Sequence, residues 1–147
     1  MAVDTVLVAV GQSDGERVDS IASAVRDVAG PAGARVVVVH VFSEEGFSEF
    51  TEHREFERAK DPDAVAQRHQ TVMELQEQLD SSGLDVQVRG GVGDKGQIII
   101  DTAEEVGADM VFVGGRRRSP TGKAVFGSTA QEVMLNAPCP VTLVRGD

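Results

Sequence analysis

The chain has 147 residues, a net charge of −10 and a single cysteine, Cys139. That length fits one domain over residues 1–147, burying roughly 68–70% of its unfolded surface without disulfides or metals, and a lone cysteine excludes an internal disulfide and fits a reducing compartment. With 24 Asp and Glu against 14 Lys and Arg, the surface disfavours general nucleic-acid or anionic-membrane binding.

Only Lys60, Lys95 and Lys123 are lysine. A lysine-poor, aspartate-rich balance suggests a halophilic archaeal cytoplasm, where carboxylates keep the surface hydrated. The opening MAVDTVLVAV carries no basic segment and meets Asp4 at once, so no signal peptide is expected. The longest apolar run, Val36–Phe42, is interrupted by His40 and is too short to span a bilayer. A soluble, cytoplasmic protein is expected.

Thr5–Val10 is apolar on both faces, as a central parallel strand requires. Gly11–Gly15 reads as a turn. Val18, Ile21, Ala22, Val25 and Val28 then recur at helical spacing, so a helix is predicted from about Glu16 to Ala29, stopped by Gly30-Pro31-Ala32-Gly33. Arg35–Phe42 is a second buried strand, and the three elements form a right-handed βαβ unit. Ser43–Lys60 is charged and weakly periodic, with Phe42, Phe47, Phe50 and Phe56 as apolar anchors; it reads as a long, partly helical excursion, a solvated surface segment or alternatively a lid or partner surface.

Asp61-Pro62 opens a second long helix reaching Ser82-Gly83, its stripe being Val65, His69, Val72, Leu75 and Leu79. Asp85–Arg89 alternates like an edge strand, and Gly90–Gly93 reads as a loop. Asp94 caps a helix to Val106, which Gly107 ends. Met110–Val113 is a fourth strand, broken at Gly114-Gly115. Ser128–Asn136 is a further helix, and Val141–Arg145 is the fifth strand, after Pro138-Cys139-Pro140. Alternation of this kind predicts an α/β doubly wound fold with a mostly parallel sheet and a ligand crevice at the carboxyl ends of its strands.

The stretch from Met110 to Thr129 carries Arg116, Arg117, Arg118 and Lys123, with no acidic residue between Asp109 and Glu132. A strand, a cationic loop and a helix start at Gly127-Ser128-Thr129 together make an anion-binding arrangement. Residues 91–96, GVGDKG, fit the dinucleotide pattern G-x-G-x-x-G formally, which would suggest NADP chemistry. They sit in the third βα turn, however, where an ordinary glycine-rich turn before a capped helix explains them. Gly122-Lys123 fails as a P-loop, because Arg117 and Ala124 replace the required Gly and Ser/Thr.

Gly114, two residues, Arg117, nine residues and Gly127-Ser128 resemble the phosphate-binding pattern G-x2-G-x9-G-[ST] of the universal stress protein (UspA) family. The resemblance extends over VLVAV, VVVVHV, GADMVFVGG, GST and PCPVTLVR, almost the whole chain. It implies a Rossmann-like three-layer fold with a five-stranded parallel sheet of order 3-2-1-4-5. It also implies a stress-response binding module taking ATP, with Mg, in the crevice after strands one, two and four. Ala9, Val10 and Gly11 would border the nucleotide, with adenine near Val41 and Ala9 and with Val113 just before the glycine loop. Ribose would lie near Gly114, and phosphates on Arg117, Gly127, Ser128 and Thr129.

Homodimerisation through Val141–Arg145 is implied as well; the downstream protein partner is unknown. The chain departs from the ATP-binding pattern twice. Gly11 stands where an aspartate is usual after strand one, with Asp14 three residues late, and Arg117 replaces the second motif glycine. A homodimeric family member that binds no nucleotide is therefore the alternative. His40, His53 and His69 fall in no triad or metal pair, so no catalytic or metal residue is expected, and at most slow ATP hydrolysis.

Overall fold

The structure, a computed structural model, describes residues 2–52, 61–115 and 127–145. Five strands form one parallel sheet: β1 (Thr5–Ala9), β2 (Arg35–Phe42), β3 (Val86–Val92), β4 (Met110–Gly115) and β5 (Val141–Arg145). Their order is β3-β2-β1-β4-β5. β1 is the central strand: Ala9 pairs with Val39 of β2 on one side and with Val113 of β4 on the other. All five β1 residues are buried, which is why the sequence there shows no polar alternation.

Side chains alternate between two cores. Val6, Val8, Val36 and Val38 face α1 (Val18–Ala32), α3 (Pro62–Ala66) and α4 (Gln70–Ser81). Leu7, Val37, Val39 and Val41 face α5 (Lys95–Val106) and α6 (Ser128–Asn136). A further helix, α2 (Glu44–Glu52), follows β2 and lays Phe47 and Phe50 against Phe42, with ring centroids 5.4 and 5.5 Å away. Among the described residues no helix is long and apolar enough to cross a membrane.

Most expected elements lie where the sequence puts them, with five local corrections. A 3₁₀ turn, Gln12–Arg17, precedes α1. Pro31 does not stop α1, because its fixed φ is helical and it falls in the last turn; Gly33, at φ 66°, ends the helix. The single helix expected from Asp61 is two. Arg68 and His69 close tight i→i−3 bonds to Val65 and Ala66, and an extended His69 starts α4. Gly90, Gly91 and Val92 are strand rather than loop, paired with His40, Val41 and Phe42. Gly114 and Gly115 likewise continue β4, paired with Val144 and Arg145.

These four strand glycines mark close approach rather than turning. A β-carbon at Gly90 would lie 2.0 Å from the Pro62 carbonyl oxygen, and one at Gly91 would lie 2.7 Å from the Ile98 side chain. Expectations for His53, Phe56 and Lys60, and for Arg116, Arg117, Arg118 and Lys123, fall outside the described residues.

Candidate functional site

The chain turns in opposite directions from β1: through α1 to β2 on one side, while β4 lies on the other. The loops leaving the carboxyl ends of these strands therefore part and leave a crevice. A cleft of about 290 Å³ occupies it. Ala9, Val10, Gly11, Val41, Val113, Gly114, Gly127, Ser128 and Thr129, nine of the expected site residues, all line it. Arg117, the tenth, lies outside the described residues.

The cleft has an apolar floor and a polar rim. Ala9, Val10, Val41 and Val113 are the buried ends of three adjacent strands. Two helix N-termini border it. α5 is capped, since Asp94 accepts the Gln97 N–H at 3.0 Å. α6 is not: its N-cap is Gly127, which has no side chain to offer, and the first bond within the helix runs from Gln131 N–H to the Gly127 carbonyl at 3.0 Å. The Ser128, Thr129 and Ala130 amides thus have no partner within the helix, beside a helix-dipole positive end that favours anions.

Four cleft residues carry chemistry that the sequence motifs did not assign: Ser13, Asp14, Arg17 and Lys95. Asp14 is only 7% exposed. Its Oδ2 accepts the Gly11 N–H at 2.7 Å, and its Oδ1 accepts from Arg17 Nη1 in an ion pair. The carboxylate that stood three residues late in sequence thus lies directly on Gly11. It also lies against Gly114, where an added β-carbon would fall 2.1 Å from Asp14 Oδ1. Lys95 enters from the N-terminus of α5 and also lines a neighbouring cavity of about 350 Å³ containing His40, Phe50 and His69.

His40 ties the two regions together. It is buried, and its Nδ1 lies 2.8 Å from the Val10 carbonyl, which fixes Nδ1 as the protonated nitrogen and holds the loop after β1 against β2. Burial pushes its pKa below 6.5; the Val10 hydrogen bond opposes this, the Lys95 charge adds to it, and Asp14 opposes it. His69 stacks on it with ring centroids 4.0 Å apart. Among the described residues no group of three or more His, Cys, Asp or Glu converges as metal ligands. The glycines of the GVGDKG segment do not line the cleft, which takes only Lys95 from it; Gly91 lies in β3, the sheet's edge strand.

Comparison with known proteins gives a consistent result. The sequence profile described as "Universal stress protein family" matches residues 2–145. A Thermus aquaticus protein, "Universal stress protein in QAH/OAS sulfhydrylase 3'region", is 32% identical over 148 residues, covering 96% of this chain and 98% of its own. A universal stress protein of Mycolicibacterium smegmatis is 32% identical over 84 residues, which span 56% of this chain and 65% of that protein. The solved universal stress protein of Archaeoglobus fulgidus in complex with dAMP superposes with a TM-score of 0.68 at 22% identity, over 98% of this chain and 99% of that one.

Proposed function

The chain belongs to the universal stress protein family, and from that premise we propose that residues 1–147 form one stress-response module holding an adenine nucleotide, ATP, in the switch-point cleft. The observation that carries this reading is convergence. Nine residues drawn from four separate chain segments line one cleft with an apolar floor and an uncapped helix N-terminus. An apolar floor suits a base, and free amides at a helix end suit phosphate. The dAMP found in the Archaeoglobus relative supports the ligand class.

Adenine rests near Val41 and Ala9, and ribose passes over Gly114. Phosphates take the Ser128 and Thr129 amides and hydroxyls, with Arg117 joining them. Magnesium enters on the triphosphate. Any turnover of the nucleotide is at most slow hydrolysis. The chain works as a homodimer through β5, whose outer edge carries no strand partner among the described residues. Its working environment is a salt-rich cytoplasm, in keeping with its excess of carboxylates.

The chain contains neither Trp nor Tyr, so its own near-UV absorbance is very small. Purified protein should show a strong band near 260 nm and release ATP on acid denaturation. No such band, together with no calorimetric heat for ATP with magnesium at high salt, sinks the reading. A second reading has its own support. Asp14 and Arg17 already occupy the space at Gly114, which favours a homodimeric interaction protein that binds no nucleotide.

A further inference from the structure

The cleft contains a guanidinium that the phosphate seat at α6 does not use. Arg17 closes the 3₁₀ turn after β1, with its side chain only 13% exposed. One of its five N–H donors goes to Asp14 Oδ1; among the described residues the other four have no protein partner. Its Cδ lies against Gly114, 3.1 Å from where a β-carbon would stand, and it lines the same cleft as Gly127 and Ser128. A planar fork with free donors on the wall of a concave site matches a phosphate better than it matches anything apolar.

Asp14 opposes that use. Its carboxylate is fixed at both oxygens, by Gly11 and by Arg17, so it cannot swing away without losing a charge-assisted hydrogen bond. It therefore neutralises Arg17 and repels an incoming anion.

We propose that Arg17 is a phosphate-reading residue of the cleft and that Asp14 is its built-in competitor, so that a nucleotide phosphate binds by drawing Arg17's donors away from the carboxylate. The proposal rests on the nucleotide reading of the same cleft and adds to it. It makes affinity depend on the outcome of an exchange between two anions over one guanidinium. Adenosine, with no phosphate, takes no part in that exchange.

The test is calorimetric titration of the full chain with AMP, adenosine and inorganic pyrophosphate, for the wild type, Arg17→Gln, Arg17→Lys and Asp14→Asn. Arg17→Gln is expected to weaken AMP by about tenfold, one charge-assisted hydrogen bond, and to leave adenosine within about twofold. Asp14→Asn is expected to tighten AMP and pyrophosphate by about fivefold or more, because the competing charge is gone while its shape remains. Arg17→Lys keeps the charge without the fork and is expected to fall between wild type and Arg17→Gln; it stands in should Arg17→Gln not fold.

Equal losses of AMP and adenosine in Arg17→Gln, or in Arg17→Lys where that variant stands in, overturn the proposal and leave the pair as a structural brace. So does an Asp14→Asn variant without gain. Should the wild type bind neither AMP nor adenosine, the nucleotide reading fails separately. Pyrophosphate then decides: binding to wild type that is lost in the Arg17 variant sustains the anion site, and no binding to either overturns it.

Discussion

Replacing Gly114 by alanine tests the geometry at the centre of the cleft. The new methyl would lie 2.1 Å from Asp14 Oδ1 and 3.0 Å from its Cγ. A carbon–oxygen contact needs about 3.3 Å, so something must move by roughly 1 Å. β4 cannot withdraw, because Gly114 is paired in the sheet with Val144. Asp14 must move instead, and it gives up the Gly11 N–H bond of 2.7 Å or the Arg17 pair. Losing a hydrogen bond to a charged group costs about 1.5–3 kcal/mol, and the reduced freedom of the unfolded alanine chain offsets about 0.4–1 kcal/mol of that. A net loss of about 1–2 kcal/mol is expected.

With a urea slope of about 2 kcal/mol/M, the unfolding midpoint drops by roughly 0.5–1 M with the slope unchanged. Far-UV circular dichroism reads it, since the chain has no Trp or Tyr to report by fluorescence. The decisive control is a cycle with Asp14→Ala. If the clash is with that carboxylate, the double variant should be more stable than the two single losses predict, by about 1 kcal/mol or more. Strict additivity would refute the reasoning, because it would mean that Gly114 and Asp14 do not contend for one space.

Gly90→Ala should be more costly, about 2–4 kcal/mol by urea unfolding. Its β-carbon would meet the Pro62 carbonyl oxygen at 2.0 Å, backbone that is held in place by the Gly90 N–H to Asp63 Oδ1 bond of 2.7 Å. His40 has a folded pKa below 6.5, so between that lower value and 6.5 the unfolded chain binds the proton and the folded chain does not. Its contribution is complete above that window and is lost as pH falls through it. Wild type should therefore lose more stability than His40→Gln between about pH 7.5 and about pH 5.5, and equal losses would contradict the assignment. Cys139 has its pKa raised, first by burial and then by the Asp109 charge, so its alkylation at mildly basic pH should be several-fold faster in denaturant than in the native protein.

Periodicity located the sheet strands well because central parallel strands are apolar throughout, and Arg35–Phe42 and Val141–Arg145 begin and end where composition changes. Helix stops were legible where glycine takes positive φ, as at Gly107 with φ 67°. Glycines that admit a neighbour were not. Gly90, Gly91, Gly114 and Gly115 looked like breaks because local sequence does not record that α3, Ile98, Asp14 or Leu143 arrives beside them. The split at His69 was hidden for a similar reason. Its stripe position looked helical, while its ring is placed by His40 and Phe50, both distant in sequence.

The charged pair in the cleft was legible in principle, through a period that is neither 2 nor 3.6. Gly11, Asp14 and Arg17 are spaced by three, and side chains three apart eclipse on a 3₁₀ turn. The Asp14 N–H reaches the Gly11 carbonyl at 3.0 Å, and the Asp14 carboxylate returns to the Gly11 N–H, so one turn folds a displacement of three residues back onto its starting point. A carboxylate judged late by counting along the chain is therefore adjacent to Gly11 in space. The same turn carries Arg17 one step further and delivers a guanidinium next to Gly114. With Gly11 after β1, the cleft still holds a carboxylate, one turn along at Asp14, and a cation, Arg17, paired with it.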